Sequence, residues 1–526
     1  MNNKIKIAFI SKFFCTGGVP RSYLSIAEGL KDNGFEFHII NIQKDDFQER
    51  FRKCGKCVYL PHAQDVIDYL QENKIQIAHT NNCDRGSYLA YLAGVPRIIE
   101  RLAGMNTAFL FDRKPVDCVI GSTPMGYNFS KTEYPNKHIE LIYNGVDTHR
   151  FFKREKNTVL LEKYGINPQN TVIGYLGRIS REKCIDKLLV VFHQLLKKNK
   201  NINLILAGKV YPDYVQIINE TLDKYNLHEP VVFTGETESP HEIINLFDIG
   251  VNCSGTYIAV DGSEKTTREG LSNSIMEILA CGVPVVATAS GETSTLVRDN
   301  ENGFLSDVDD MSAMLDNLNR LISDSNLRRR LGDKARETMV SEFNLDKMTD
   351  EYERVYRFVL SDEFKKIYPH SRTEAKTHFL ANPLQWDCPT KTKKKILVFR
   401  SGSTHLFNYI IKDIQNNFKN AQISVLCHEK NFGEIIKYHQ INEFYVYTLS
   451  ENFELNRMGD FVDIINRNGY DIFYFIMNDF FAPDFEYANI KNIARSIKSD
   501  IKIVVNCFEK KYLWQNEHNG QANFIR

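Results

Sequence analysis

The chain has 526 residues, 43% apolar and 25% charged, more than one hydrophobic core can organise, so two or three globular domains are expected. Lys plus Arg equals Asp plus Glu at 66 each, and that zero net charge excludes a generic nucleic-acid binder while leaving room for a local basic patch. No apolar run approaches the roughly 18 residues that a bilayer span requires, and MNNKIKIAFISKFF is too short and too broken by lysine for a signal peptide. The 11 cysteines, odd in number and scattered, fit a reducing cytoplasm better than a disulfide framework. The one close pair, Cys54 and Cys57 in CGKC, lacks a second pair at zinc spacing and reads as loop thiols.

Strand-like apolar runs alternate with helix-period segments, the pattern of parallel sheets with crossover helices, so the fold class is α/β. A first block, residues 1–150, offers KIAFI, FHIINI, QIAHT, RIIER, DCVIGS and IELIYNG, and closes near the turn-prone Asn144-Gly145-Val146-Asp147. A second block, residues 151–345, offers TVIGYLGR, NLILAG, PVVFTG, DIGVNCS and PVVATA. A helix over 346–360 carries Met348, Tyr352 and Tyr356 on one stripe and is expected to cross back onto the first block. Residues 361–392 are weakly periodic and contain Pro369, Pro383 and Pro389, a linker pattern ending in a basic run. A third, smaller α/β block spans 393–526 with KILVF, QISVLC, EFYVYT, DIFYFIM and IKIVVN. Two doubly wound domains in tandem place a ligand at the carboxyl ends of their strands, in the cleft between them.

The chemistry concentrates in two stretches of the second block. After the strand TVIGYL, Gly177 frees a turn, Arg178 can grip phosphate oxygens bidentately, and Lys183 at the next helix start adds a compact positive charge. Together they suit a pyrophosphate that gains charge as it leaves, though a surface Arg and Lys paired with Glu182 or Asp186 would look the same. The second stretch, REGLSNSIMEILACGVPVVATASGET, sets Glu269 and Glu277 eight apart around Gly270, Leu271, Ser272 and Asn273. A capping box from Ser274 to Glu277 would explain one carboxylate and leave Glu269 and the small turn unexplained. A diphosphate cradled by backbone N–H groups of the turn, with each carboxylate accepting from a vicinal diol, explains both. In the first block, Gly17-Gly18 lies between the first strand and a helix with Pro20 in its first turn, without the dinucleotide fingerprint.

The spacing E-x7-E in EGLSNSIME, followed by ACGVPVVAT, GE and ENGFL, resembles the family four retaining glycosyltransferases of the GT-B fold. GRISREK, VVFTGE, NGVD and EYERVY occur in that family's order, and the resemblance covers about residues 4 to 360. It implies two tandem Rossmann-like domains, with the third block an added Rossmann-like accessory domain that resembles one half of a GT-B enzyme. It implies a sugar moved with retention from a nucleotide diphosphate sugar to a glycan or lipid-linked glycan acceptor, in surface polysaccharide or glycoconjugate synthesis. Arg178 and Lys183 would bind the donor diphosphate, Glu269 the donor sugar and Glu277 the nucleotide ribose. Gly17 and Gly18 would close over the phosphates from the other side of the cleft.

The histidine that many members carry after a strand like RIIER is missing, Glu100 and Arg101 standing nearby, and His79 reads as a packing or loop residue. SGTYIAVDGSEKTTR before Glu269 is a long polar insertion, either a rim of the donor pocket or a surface loop. Asp307-Val308-Asp309 resembles a metal-binding D-x-D but lies just before a helix, where Asp caps, so no metal and no cofactor are expected. Two rival readings stand beside the transferase. One is a sugar-phosphate-accepting synthase of the same fold, for which Arg21, Arg97, Arg101 and Arg113 supply cations; the other is a non-catalytic glycan-binding scaffold. The expected location is cytoplasmic, with room for association at the inner membrane face and for a protein partner through the third block.

Overall fold

The computed structural model describes residues 4–12, 14, 18–42, 47–61, 63–81, 84–102, 116–369, 394–400, 404–418, 420–428, 441–447, 459–476, 496–505 and 511–513. Among them the first sheet has seven parallel strands, β1 (Ile5–Ser11), β2 (Phe35–Asn41), β3 (Gly55–Tyr59), β4 (Ile77–Asn81), β5 (Arg97–Leu102), β6 (Cys118–Gly121) and β7 (His138–Leu141). Their order is β3-β2-β1-β4-β5-β6-β7. Strands β1, β2, β4, β5 and β6 are largely buried on both faces, β4 along its whole length, which is why they read as apolar runs without alternation.

The second sheet contains β8 (Thr171–Leu176), β9 (Ile202–Ala207), β10 (Val231–Gly235) and β11 (Ile249–Asn252). A hairpin of β12 (Thr256–Ile258) and β13 (Glu264–Thr266) follows, then β14 (Val285–Thr288) and β15 (Gly303–Ser306) rejoin the sheet. Its order is β10-β9-β8-β11-β14-β15. In both sheets the chain builds outward on one side and then returns to the other, so the order reverses at β1/β4 and at β8/β11. These reversals are where open α/β sheets bind ligands.

The two halves are joined twice. Val146 N–H donates to Phe343 O at 2.8 Å and Leu345 N–H to Val146 O at 3.0 Å, so the outgoing and returning chains run as one two-stranded bridge. Ile142 packs in the first core and Val146 and Phe151 in the second, so the boundary expected at 150 falls several residues earlier. The returning helix Leu345–Leu360 buries Met348, Tyr352, Val355, Tyr356 and Val359 against Phe9, Tyr23, Phe35 and Phe37. Each such side chain contributes about 1.5–3 kcal/mol when fully buried.

Two expectations are corrected here. Residues from Ser361 do not begin a free linker: Asp362–Ile367 is helical and Phe364 is buried in the first core. Cys57 is not in a loop but on edge strand β3, and Cys54 directly precedes that strand with its thiol on Arg50 O. The insertion before Glu269, expected as a pocket rim or a surface loop, contains the β12–β13 hairpin. The remainder of the expected linker, 370–392, lies outside the described residues, as do Gly17 and Arg113.

The third sheet comprises β16 (Lys395–Arg400), β17 (Gln422–His428), β18 (Ile441–Tyr447), β19 (Tyr470–Ile476), β20 (Ser499–Val505) and β21 (Lys511–Leu513). Its order is β18-β17-β16-β19-β20-β21, parallel except for the antiparallel edge strand β21. Among the described residues no helix is long and apolar enough to cross a membrane.

Candidate functional site

The site grows from the β8/β11 reversal. β8 is followed by Gly177, whose φ of 143° is open to glycine and strained for other residues. A Cβ on Gly208, after β9, would stand 1.9 Å from the Gly177 carbonyl oxygen, so the two turns close only because both are glycine. Tyr175 Oη donates to Arg178 O at 2.6 Å and fixes the turn from beneath. Arg181–Lys183 then form a short 3-10 turn, Cys184 adopts a left-handed φ of 50°, and the α-helix begins at Ile185. Lys183 therefore precedes the helix instead of starting it, which leaves its side chain free to turn into the cleft.

β11 ends at Asn252, and Ser254 follows with its carbonyl bonded by Thr288 Oγ1 at 2.6 Å. Ser254 Oγ and Lys183 Nζ both donate to one oxygen of Glu269. The Lys183 and Glu269 side chains are 13% and 12% exposed, so this pair sits largely out of water, where a charge is tolerated only with a partner. Gly291, at φ 58°, lies against the Glu269 backbone, and Glu292 N–H donates to Glu269 O at 2.8 Å, holding the carboxylate's backbone in place.

Gly270 and Leu271 lead to the helix Asn273–Ala280, capped by Ser272, whose hydroxyl accepts from Ile275 N–H. Capping by Ser272 removes the Ser274 capping box: Glu277 lies in the second turn and does not fold back to the helix start. Instead its carboxylate meets Arg21, which stands on the helix Gly18–Leu30 of the first half. Glu277 is 5% exposed and Arg21 46% exposed; burial raises the carboxyl pKa from its ordinary value, and Arg21 acts in the opposite sense. Gly18 faces the same helix across the cleft, since a Cβ there would be 3.9 Å from Asn273 Nδ2.

The expected residues are thus gathered unequally. Asn273 and Glu277 line the cavity between the halves, Gly18 approaches Asn273, and Lys183 pairs with Glu269 just before Gly270, Leu271 and Ser272 lead into the helix that carries Glu277. Arg178 belongs to the same turn, and its guanidinium lies 3.4 Å from Glu182 and 5.9 Å from the Tyr211 ring centre. Sequence reasoning missed Ser254, which its place at a strand end of the reversal could have flagged. It also missed that Glu292, in the GE motif, crosses the cleft to accept from Met125 N–H at 2.8 Å.

The remaining candidates are engaged elsewhere. His79 is fully buried on β4 with Nδ1 2.7 Å from Tyr356 Oη, and burial holds its pKa down at about 3, so it is a neutral core residue. Arg97 donates to Val359 O and stacks on Phe364, at the strand end away from the cleft. Arg101 is buried, with Asn81 Oδ1 at 2.7 Å and Asn144 as amide partners. Asp309 pairs with Lys187 Nζ at 2.5 Å and accepts from Thr256 N–H, tying the hairpin base to the second half. Among the described residues no cluster of three or more His, Cys, Asp or Glu side chains could hold a metal.

The chain is similar to known proteins in sequence and fold. Residues 157–338 fit the family described as Glycosyl transferases group 1. The chain is 36% identical over 282 residues to the lipopolysaccharide core biosynthesis glycosyltransferase LpsE of Rhizobium meliloti (strain 1021), covering 50% of this chain and 73% of that one. It is 25% identical over 229 residues to the N-acetyl-alpha-D-glucosaminyl L-malate synthase of Bacillus anthracis, covering 44% of this chain and only 56% of that relative's length. In fold it resembles Anabaena Alr3699/HepE, solved in complex with UDP and glucose, with a TM-score of 0.57, 17% identity, and coverage of 67% of this chain and 100% of that one. The fold is GT-B, and the chain belongs to the group 1 glycosyl transferases.

Proposed function

We propose that the protein is a retaining glycosyltransferase that moves a sugar from a nucleotide diphosphate sugar to a carbohydrate acceptor in surface polysaccharide or glycoconjugate synthesis. The observation that carries this reading is the convergence of Lys183 and Glu269 with the capped helix start at Ser272 and with Glu277, all at one sheet reversal. A helix start and a lysine favour the diphosphate, and the two carboxylates suit the hydroxyls of sugar and ribose. Lys183 would stabilise charge on the departing diphosphate, and Arg178 would join it by swinging from Glu182. Among the described residues no side chain is set up as a nucleophile, so substitution on one face is the chemistry we favour, the leaving phosphate taking the acceptor's proton. The similarity to LpsE supports a glycan acceptor.

The sugar-phosphate-accepting alternative loses support from Arg97 and Arg101, both engaged in structural bonds. A scaffold has no need of the four charged groups together. Metal independence is part of the proposal, since Asp309 is already neutralised by Lys187 and Lys183 supplies charge at the diphosphate. The third sheet, absent from the E-x7-E pattern, is proposed as an accessory domain.

The test is product analysis by NMR in excess chelator. Transfer should persist, and the product anomer should match the donor's. An inverted product would overturn retention, and a chelator-dependent loss that magnesium restores would return Asp307 and Asp309 as ligands.

A further inference from the structure

The two charged pairs of the cleft differ in kind. Lys183 and Glu269 belong to one half of the protein, whereas Arg21 and Glu277 come from opposite halves, 256 positions apart. The helix that carries Glu277 is buried from Ile275 to Ala280, so its carboxylate can be approached only through the cleft. Arg21 stands in that approach. Together with Ser22, Asn144, Asn273 and Glu277 it lines the cavity between the halves. Arg150 is the other cation near Glu277, and its guanidinium is held at 2.7 Å by Glu238 O. A ligand that takes the Glu277 Oε1 must therefore displace Arg21.

We propose that Arg21 is a latch exchanged for the donor: it occupies the Glu277 carboxylate in the empty enzyme and yields it to the ribose hydroxyls of a nucleoside diphosphate. The proposal rests on the reading of Glu277 as the ribose carboxylate. It follows that donor entry unties one contact between the halves, while that of Glu292 with Met125 N–H remains. Because Arg21 is half exposed, water solvates it once released, while a ribose diol replaces the hydrogen bonds that the buried carboxylate cannot do without.

Calorimetric titration of UDP, GDP and ADP into the full-length protein tests this, with Arg21→Met, Arg21→Lys and Glu277→Gln as variants. Arg21→Met keeps the aliphatic stem and removes the competing cation. It should lower the thermal midpoint of the free protein and tighten nucleoside diphosphate binding by roughly three- to tenfold, as expected for loss of a half-exposed ion pair that binding must break. Arg21→Lys, a shorter cation, should move the Kd in the same direction by less. Binding that is unchanged or weaker in both arginine variants, alongside normal wild-type binding that Glu277→Gln diminishes, overturns the exchange alone. Absence of binding by all three nucleotides to the wild type overturns the donor-site reading and the exchange with it.

Discussion

Lys183→Ala is expected to lower turnover by about 10²- to 10³-fold, the usual consequence of removing a positioned electrostatic stabiliser from a reacting centre. Two effects add. The variant loses the cation that would meet the departing diphosphate, and among the described residues it leaves Glu269, 12% exposed, with the Ser254 hydroxyl as its one side-chain partner. The fold should survive, because Lys183 occupies a 3-10 turn and its side chain packs in neither sheet's core. Thermal midpoint and steady-state rate measured together separate the two. A folded variant with near-wild-type turnover would remove Lys183 from the leaving-group role.

Glu269→Gln and Glu277→Gln should fail in different ways. Glu269 faces Lys183 and is assigned to the sugar, so its amide should depress transfer by about 10²-fold while the nucleoside diphosphate Kd changes little. Glu277 is assigned to the ribose, so its amide should weaken the nucleotide Kd by about tenfold, the worth of one charged hydrogen bond exchanged for a neutral one. Calorimetry with the nucleotide alone reads the second quantity and steady-state transfer the first. Equal loss of nucleotide affinity in both variants would contradict this division of labour.

Much of this architecture was legible because burial writes a pattern into sequence. The doubly buried strands appear as apolar runs, and the stripe Met348, Tyr352, Tyr356 marks the helix that crosses back to the first core. Strand β3 escaped because its edge position leaves Lys56 and Tyr59 exposed and breaks the run. The hairpin β12–β13 escaped because β13 is exposed throughout. Lys183 was expected at the helix start because nothing local announces the left-handed Cys184 that delays the helix to Ile185. The partners of the site were the least legible part. The chain shows Arg21 and Glu277 as separate charges, and only the packing of one half on the other makes them a pair; the same holds for Glu292 and Met125.

The central claim is that the cleft holds a nucleotide sugar and breaks its glycosyl–phosphate bond. The most direct measurement is nucleoside diphosphate release from a panel of nucleotide sugars by the pure full-length protein, with Lys183→Ala in parallel. The account predicts release from at least one donor by the wild type and its collapse in the variant. No release from any donor in the presence of glycan acceptors, or release that the variant retains in full, would contradict it.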